Sequence, residues 1–238
     1  MLRSALLALL LPYPAMACQT ALLLAMDVSN SVDPAEYRLQ VDGLAAALRD
    51  GEIAEILVRD RVAVAVMQWS GVDRQQLTIP WIRMAAPSQP AALANRVETM
   101  ERAYVLSDTA PAEALLAAIA QFETVQDCAR KVIDVSGDGT PNAGSDVGRA
   151  RTRAQLAGIT VNGLAIEHIG IAITNFYRRQ LITRDGFVET AQGHRDYARA
   201  IRVKMLREIS RIMGDSGFDV DGRRHAAVSN PKGSANTP

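Results

Sequence analysis

Three oxygen-bearing side chains stand at alternate positions where the first apolar run of the chain's main body ends. Asp27, Ser29 and Ser31 follow the run ALLLAM at residues 21–26. On an extended backbone, alternate side chains point to one side, so these three would form a cup of oxygen atoms. Mg²⁺ and similar hard cations prefer carboxylate and hydroxyl ligands, so a cation site is one interpretation. The other is that the hydroxyls cap the helix that follows.

The helix that follows has a well-marked start. Asp33 is expected to be its N-cap, Pro34 its first residue and Glu36 the reciprocal partner of the cap, and the helix is expected to run to about Arg49. The apolar run before it is typical of a strand that is covered on both faces in a parallel sheet. Asp27 therefore stands at the carboxyl end of a buried strand.

Strands and helices alternate along the rest of the chain. Further strands are predicted at residues 61–69, 76–82, 130–135, 160–166 and 187–190, with 76–82 at a sheet edge because it contains Pro80. Further helices are predicted at residues 88–101, 109–122, 146–157, 174–181 and 195–213. This alternation predicts an α/β fold with a doubly wound, mostly parallel sheet of Rossmann-like order 3-2-1-4-5-6, flanked by helices.

The predicted strand order reverses between strands 1 and 4, and sheets of this kind bind ligands at such a reversal. Those two strands end in Asp27 and Asp138, and Asp138 lies in the glycine-rich loop SGDGTPN. If the helix that begins at Thr109 starts next to the ends of these two strands, the Thr109 hydroxyl belongs to the same site. Taken singly, Thr109 is equally well explained as a helix N-cap, and Asp138 as a turn former between two glycines.

The combined pattern carries a family resemblance. Asp27-x-Ser29-x-Ser31, followed by Thr109 and by Asp138 in a Gly-Asp-Gly turn, resembles the metal-ion-dependent adhesion site of von Willebrand factor A domains and integrin inserted domains. The resemblance covers residues 20–213. Within that family, the stretches DVSNSVDPAEYRLQ, VIDVSGDGTPNAG and AIRVKMLREI resemble an exported bacterial group of uncharacterised role.

The resemblance implies a ligand set and a mode of action. Ser29, Ser31 and Thr109 are expected to bind the ion directly, and Asp27 and Asp138 directly or through water. The expected ion is Mg²⁺, with Mn²⁺ or Ca²⁺ as alternatives. Because neutral hydroxyls supply much of the inner shell, the ion stays electrophilic toward an anionic ligand. We therefore expect a non-enzymatic module that captures the carboxylate of an acidic residue on another protein.

Two other functions fit the same residues. A metal-assisted hydrolase would need a general base near the ion, and Asp108, which replaces the family's usual glycine before the threonine, is the candidate. No Gly-x-Ser-x-Gly motif indicates a serine nucleophile. His168, His194 and His225 lack metal-ligand spacing and are interpreted as surface or capping residues. The third function is a scaffold whose metal site is not functional.

Length, charge and the two end segments indicate the number of domains, the class of partner and the location of the protein. The 238 residues suit one α/β domain, expected at residues 18–213, and the 26 basic and 26 acidic side chains do not indicate a nucleic-acid partner.

Residues 1–17 have the basic, apolar and Ala-x-Ala parts of a secretory signal peptide, with an apolar core too short to span a bilayer. Residues 214–238 are expected to be a disordered tail. The protein is therefore expected to be periplasmic or secreted, with lipid anchoring through Cys18 as the alternative.

The two cysteines occupy matching places in the predicted sheet. Cys18 lies nine residues before Asp27 and Cys128 ten before Asp138, so both precede neighbouring parallel strands. Adjacent strands are ~4.8 Å apart, within the ~4.4–6.8 Å between Cα atoms that a disulfide accepts. Export would supply an oxidising compartment. We predict a Cys18–Cys128 disulfide; the alternatives are a lipidated Cys18 and two free thiols.

Overall fold

A six-stranded sheet with helices on both faces forms the body of the protein. The computed structural model describes residues 18–210; the predicted signal peptide and tail lie outside them. The order β3-β2-β1-β4-β5-β6 confirms the prediction, and only β3 pairs antiparallel. The strands are β1 (Thr20–Asp27), β2 (Ala63–Trp69), β3 (Gln75–Arg83), β4 (Arg130–Gly137), β5 (Ile159–Glu167) and β6 (Val188–Gln192). The helices are α1 (Pro34–Arg49), α2 (Gly51–Arg59), α3 (Gln89–Glu98), α4 (Pro111–Gln121), α5 (Val147–Leu156), α6 (Ala172–Phe176) and α7 (Tyr197–Ser210).

The central strand β1 is buried on both faces, as its continuous apolar run predicts. Leu22, Leu24 and Met26 pack in a core with α1, α2, α3 and α7, whereas Ala21 and Leu23 pack in a second core with α4 and α5. Burying one such leucine contributes about 1.5–3 kcal/mol. Both cores therefore hold β1 in place and fix the position of its carboxyl end.

Helix α2 was not predicted from the sequence. The structure contains α2 directly after α1, where no element had been assigned. Asp50 joins the two helices: its backbone N–H donates to Ala47 at the end of α1, and its side chain accepts from the N–H groups of Glu52 and Ile53 at the start of α2. Because a single residue ends one helix and caps the next, the sequence shows no loop between them.

The carboxyl-terminal elements differ in detail from the prediction. The predicted helix at residues 174–181 consists of α6 followed by a π-helical turn, Tyr177–Leu181. The predicted helix at 195–213 corresponds to α7, which a short 3₁₀ turn, His194–Asp196, precedes; its last three predicted residues, 211–213, lie outside the described residues. Gly193, with a φ of 85°, redirects the backbone before that turn, which explains the later start. Among residues 18–210, no helix is long and apolar enough to cross a membrane.

The structure contains the predicted disulfide between Cys18 and Cys128, whose Cα atoms are 4.4 Å apart. Thr20 pairs with Arg130 in the parallel register of β1 and β4, which places the two cysteines directly opposite each other. The backbone N–H of Ala129 also donates to the carbonyl of Cys18, at 3.0 Å. The one-residue offset seen in the sequence disappears because Asp138 lies one residue beyond the end of its strand.

Candidate metal centre

The loop after β1 brings the first three predicted ligands together, but by a turn and not by an extended backbone. The strand ends at Asp27, and the chain turns through residues 29–32, where the N–H of Val32 donates to the carbonyl of Ser29. The Ser29 N–H donates to Asp27 Oδ1 at 2.7 Å, and the Oγ atoms of Ser29 and Ser31 are 3.1 Å apart. The prediction of alternating side chains on extended backbone was therefore wrong in its geometry, since the Asp27 carboxylate itself stabilises the turn.

The serine hydroxyls do not cap helix α1. Asp33 is its N-cap and accepts from the N–H of Glu36 at 2.8 Å, while the Glu36 carboxylate accepts from the N–H of Asp33 at 2.8 Å. This reciprocal pair is the predicted capping box. The capping interpretation of Ser29 and Ser31 is thus wrong, which leaves their hydroxyls available to a cation.

The second carboxylate of the site belongs to Asp138, which lies in the loop after β4. Ser31 Oγ donates to Asp138 Oδ1 at 2.5 Å, so the loops after β1 and β4 meet directly. Asp27 is fully buried, and the loss of solvation raises its pKa to about 7, with the nearby Asp138 adding to the rise. Its Oδ2 atom has no hydrogen-bond partner. A divalent cation between the two acids would offset this unfavourable burial of negative charge, so the residues fit a metal site.

Thr109 reaches the same place from a third loop. Ala110, not Thr109, is the N-cap of α4, so the capping interpretation of Thr109 is also wrong. The Thr109 N–H donates to the side chain of Asn142 at 2.8 Å, and the Asn142 N–H donates back to the Thr109 carbonyl at 3.1 Å. A Cβ atom on Gly139 would lie 3.6 Å from Thr109 Oγ1 and 3.8 Å from Ser31 Oγ. The structure therefore brings all five predicted ligands together, with Asp108 exposed beside them.

Arg102 is a positioning residue that the sequence did not indicate. Its Nη2 atom donates to the carbonyls of Val28 and Ser29, at 2.9 and 2.8 Å. These bonds hold the turn that carries the serine hydroxyls. Arg102 lies seven residues before Thr109, in a stretch without regular structure, so no local pattern distinguishes it from a solvent-exposed arginine.

Two histidines also lie at this end of the sheet, which the sequence interpretation missed. His168 Nε2 is 3.2 Å from Asp138 Oδ2, and His194 Nε2 is 4.0 Å from the same atom. His168 follows β5 and His194 follows β6, so the adjacency of those two strands brings them together. Burial lowers the pKa of His194, which favours its neutral form.

A family profile described as "Protein of unknown function (DUF1194)" matches residues 17–213. The chain belongs to the DUF1194 family. No functionally curated protein has a sequence that matches this DUF1194 chain.

Solved structures show that the DUF1194 chain has a von Willebrand factor A-like fold. Proximal thread matrix protein 1 (PTMP1) from the mussel byssus matches 81% of the chain at 13% identity and a TM-score of 0.62, and a form with a zinc-occupied MIDAS motif matches at 0.58. A von Willebrand factor type A structure from Catenulispora acidiphila matches 81% at 17% identity and a TM-score of 0.57. The pilus adhesin SpaC from Lactobacillus rhamnosus GG matches 83% at 15% identity and a TM-score of 0.56.

The DUF1194 chain spans less than half the length of each of these three proteins, with 48% of PTMP1, 43% of the Catenulispora protein and 31% of SpaC covered. The likeness is therefore to part of each of them. At these identities it establishes the fold and not a shared activity.

Proposed function

We propose that this protein is an exported, divalent-metal-dependent binding module that captures a carboxylate of a partner protein, without a catalytic step. The observation that carries the proposal is the convergence of two aspartates and three hydroxyl side chains, from three loops, at the switch point of the sheet. The zinc-occupied MIDAS motif of PTMP1 supports it, because a domain of this fold there holds a metal ion.

In the proposed site, the hydroxyls of Ser29, Ser31 and Thr109 bind the ion directly, and Asp27 and Asp138 bind it directly or through water. We propose Mg²⁺ as the ion, with Mn²⁺ or Ca²⁺ as alternatives, because all five ligands offer oxygen. Because three of the five proposed ligands are neutral hydroxyls, the divalent ion keeps affinity for a further anion. A carboxylate from an Asp or Glu of a partner supplies that anion.

Exposed apolar side chains surround the proposed site. Leu106 is 87% exposed, has a φ of 51° and lines the open concavity that also contains Ser31 and Thr109. Ile169 is 93% exposed and directly follows His168. Further exposed apolar residues of neighbouring loops are Val72, Val105 and Ile171. Exposed apolar groups around a polar centre are typical of a protein-binding surface.

The proposal places the protein outside the cytoplasm. The Cys18–Cys128 disulfide supports this location, because disulfides persist in the periplasm and in secreted proteins. The predicted signal peptide agrees with it. Residue 18 stays free of lipid in this proposal, since one sulfur atom cannot carry both a lipid and the bond to Cys128.

Mg²⁺ is expected to raise the thermal stability of the folded protein, because only the folded state gathers the three loops. At a concentration about 100 times the dissociation constant, the ion would contribute about 2.7 kcal/mol, which for a domain of this size raises Tm by roughly 5–10 °C. Asp27→Ala is expected to abolish the shift, and Ser29→Ala to reduce it while the fold persists. Differential scanning calorimetry with and without a chelator measures both.

Ser88→Ala is the matched control for this experiment. Ser88 is exposed, makes no capping hydrogen bond and precedes α3, at the opposite end of the sheet. Its replacement should leave the Mg²⁺-dependent shift intact. A full shift in Asp27→Ala would show that the ion binds elsewhere.

Partner binding is expected to require both the metal and the apolar surface. From an envelope extract, the protein should retain a partner in Mg²⁺ and release it with a chelator. Leu106→Ala should weaken the interaction, whereas Leu156→Ala should not, because Leu156 is similarly exposed, at 85%, but ends α5 at the far side of the sheet. Replacing the partner's contacting Asp or Glu by its amide should abolish the metal-dependent part of the affinity. Metal-independent retention would contradict the proposal.

The hydrolase alternative makes a different prediction for the same assay. Asp108 lines the concavity with Ser31 and Thr109, so Asp108→Asn would keep Mg²⁺ and partner binding but stop any turnover. Mg²⁺-dependent cleavage of the retained partner by the parent, absent in Asp108→Asn, would favour the hydrolase over the binding module.

A further inference from the structure

A second group of metal-ligand side chains lies beside the proposed Mg²⁺ site, on the other side of Asp138. Glu36, His168 and His194 each offer one ligand atom, and these atoms lie within 4.8 Å of one another. They come from the first turn of α1, the end of β5 and the turn before α7. No two of them are close in sequence, so only the fold assembles the group.

Glu36 is held with one oxygen directed to this group. Its Oε2 atom accepts the Asp33 N–H in the capping box, at 2.8 Å. Its Oε1 atom lies 3.1 Å from His194 Nδ1. The capping box therefore fixes the carboxylate while leaving one oxygen available as a ligand.

His194 supplies an independent indication that the group binds a ligand. Its side chain is only 3% exposed, yet neither ring nitrogen makes a hydrogen bond. Buried polar atoms without partners are rare because their desolvation is not compensated. Nδ1 faces Glu36 and Nε2 faces Asp138, so the imidazole lies between two carboxylates, where a cation bound to one of its ring nitrogens would reduce the uncompensated negative charge.

His168 completes the group from the solvent side. Its ring lies 5.8 Å from the ring of His194, measured between centroids, and its side chain is 51% exposed. Ligands of a tetrahedral zinc ion at about 2.0–2.1 Å lie about 3.3 Å apart. Bringing ligand atoms from 4.8 Å to this separation needs movements of about 1.5 Å or less, which rotation of the exposed His168 side chain accommodates.

We propose that Glu36, His168 and His194 bind a divalent transition-metal ion of the Zn²⁺ type, at a site separate from the Mg²⁺ site. Two imidazoles and one carboxylate suit Zn²⁺ and disfavour Mg²⁺, which selects oxygen ligands. The three side chains line a surface groove together with Leu39, Gln192 and Arg195, which would give an ion held there access to solvent. Asp138 stands between the two sites: its Oδ1 contacts Ser31, and its Oδ2 faces both histidines.

The proposal is independent of partner capture and is tested with Co²⁺ as a spectroscopic substitute for Zn²⁺. The metal-free full mature chain is titrated with Co²⁺ in excess Mg²⁺, which keeps the oxygen site filled. We expect one equivalent of Co²⁺ to bind, with visible absorption bands of a low-coordinate nitrogen-ligated ion, and Zn²⁺ to displace it. His168→Ala should weaken binding at least about tenfold. Glu36→Gln, which keeps the capping acceptor, should also weaken it.

Two controls separate this site from the proposed Mg²⁺ site. His225→Ala, which replaces the remaining histidine of the chain, should leave Co²⁺ binding unchanged. Ser29→Ala should weaken Mg²⁺ binding but keep the Co²⁺ bands, so failure of one site is distinguishable from failure of the other. The proposal is overturned if no Co²⁺ binds, or if binding survives His168→Ala and disappears in Ser29→Ala, which would place the transition metal in the oxygen site.

Discussion

Lys204→Met is expected to destabilise the fold by about 3–5 kcal/mol near pH 8, because it leaves two buried carboxylates without their cation. Lys204 is fully buried on α7, and its Nζ atom lies 2.5 Å from Asp134 on β4 and 2.6 Å from Glu208 on α7. Asn162 on β5 donates to the same Glu208 oxygen at 2.9 Å. This charged cluster joins α7 to two central strands.

The loss should depend on pH. Burial raises the pKa of Glu208 from the usual 4.5 to about 7 and raises that of Asp134, while Lys204 opposes both shifts. Without Lys204, the folded state would hold protons on these acids at pH values where the unfolded chain has released them. Stability of the variant then falls as pH rises above about 4.5, so the loss relative to the parent should be larger at pH 8 than at pH 5.5.

Urea denaturation of parent and variant at the two pH values measures this effect. Lys204→Met/Glu208→Gln should recover part of the stability, because it removes one of the uncompensated charges. Lys131→Met, on β4 and without an ion pair in the described structure, is the control and should cost little. An equal loss at both pH values, with no recovery in the double variant, would indicate a packing defect instead.

Removing the disulfide is expected to cost about 2–4 kcal/mol. The bond joins residues 110 positions apart, and the chain-entropy account gives up to about 4.7 kcal/mol for a loop of this size. Both cysteines are buried at the amino ends of β1 and β4, opposite the candidate metal centre. The double variant Cys18→Ala/Cys128→Ala should therefore unfold at a lower denaturant concentration while keeping its Mg²⁺ response.

Reduction of the parent should reproduce the loss, and a reductant should not affect the double variant. Mass spectrometry of the mature protein, alkylated without reductant, provides the direct check. Two alkylated cysteines, or a diacylglyceryl mass on Cys18, would contradict the bond.

The sequence by itself determined the architecture and the place of the candidate site. The continuous apolar run of β1 identifies a strand covered on both faces, and the alternation of strands and helices leads to the observed order. That order makes β1 and β4 neighbours, which in turn places Asp27 near Asp138 and Cys18 opposite Cys128. These inferences succeeded because the periodicity of apolar residues and the strand order determine the path of the backbone. Neither depends on the details of side-chain packing.

Only the tertiary structure decided how individual side chains act. The turn that gathers Ser29 and Ser31 depends on the bond from the Ser29 N–H to Asp27 and on Arg102, a contact across 73 residues. Lys204 and Glu208, four residues apart on a helix, resemble an exposed ion pair in the sequence, yet Asp134 on another strand makes them a buried cluster. His168 and His194 form a group with Glu36 because parallel strands β5 and β6 end side by side. Contacts between distant segments set burial and ligand geometry, and local sequence patterns do not encode them.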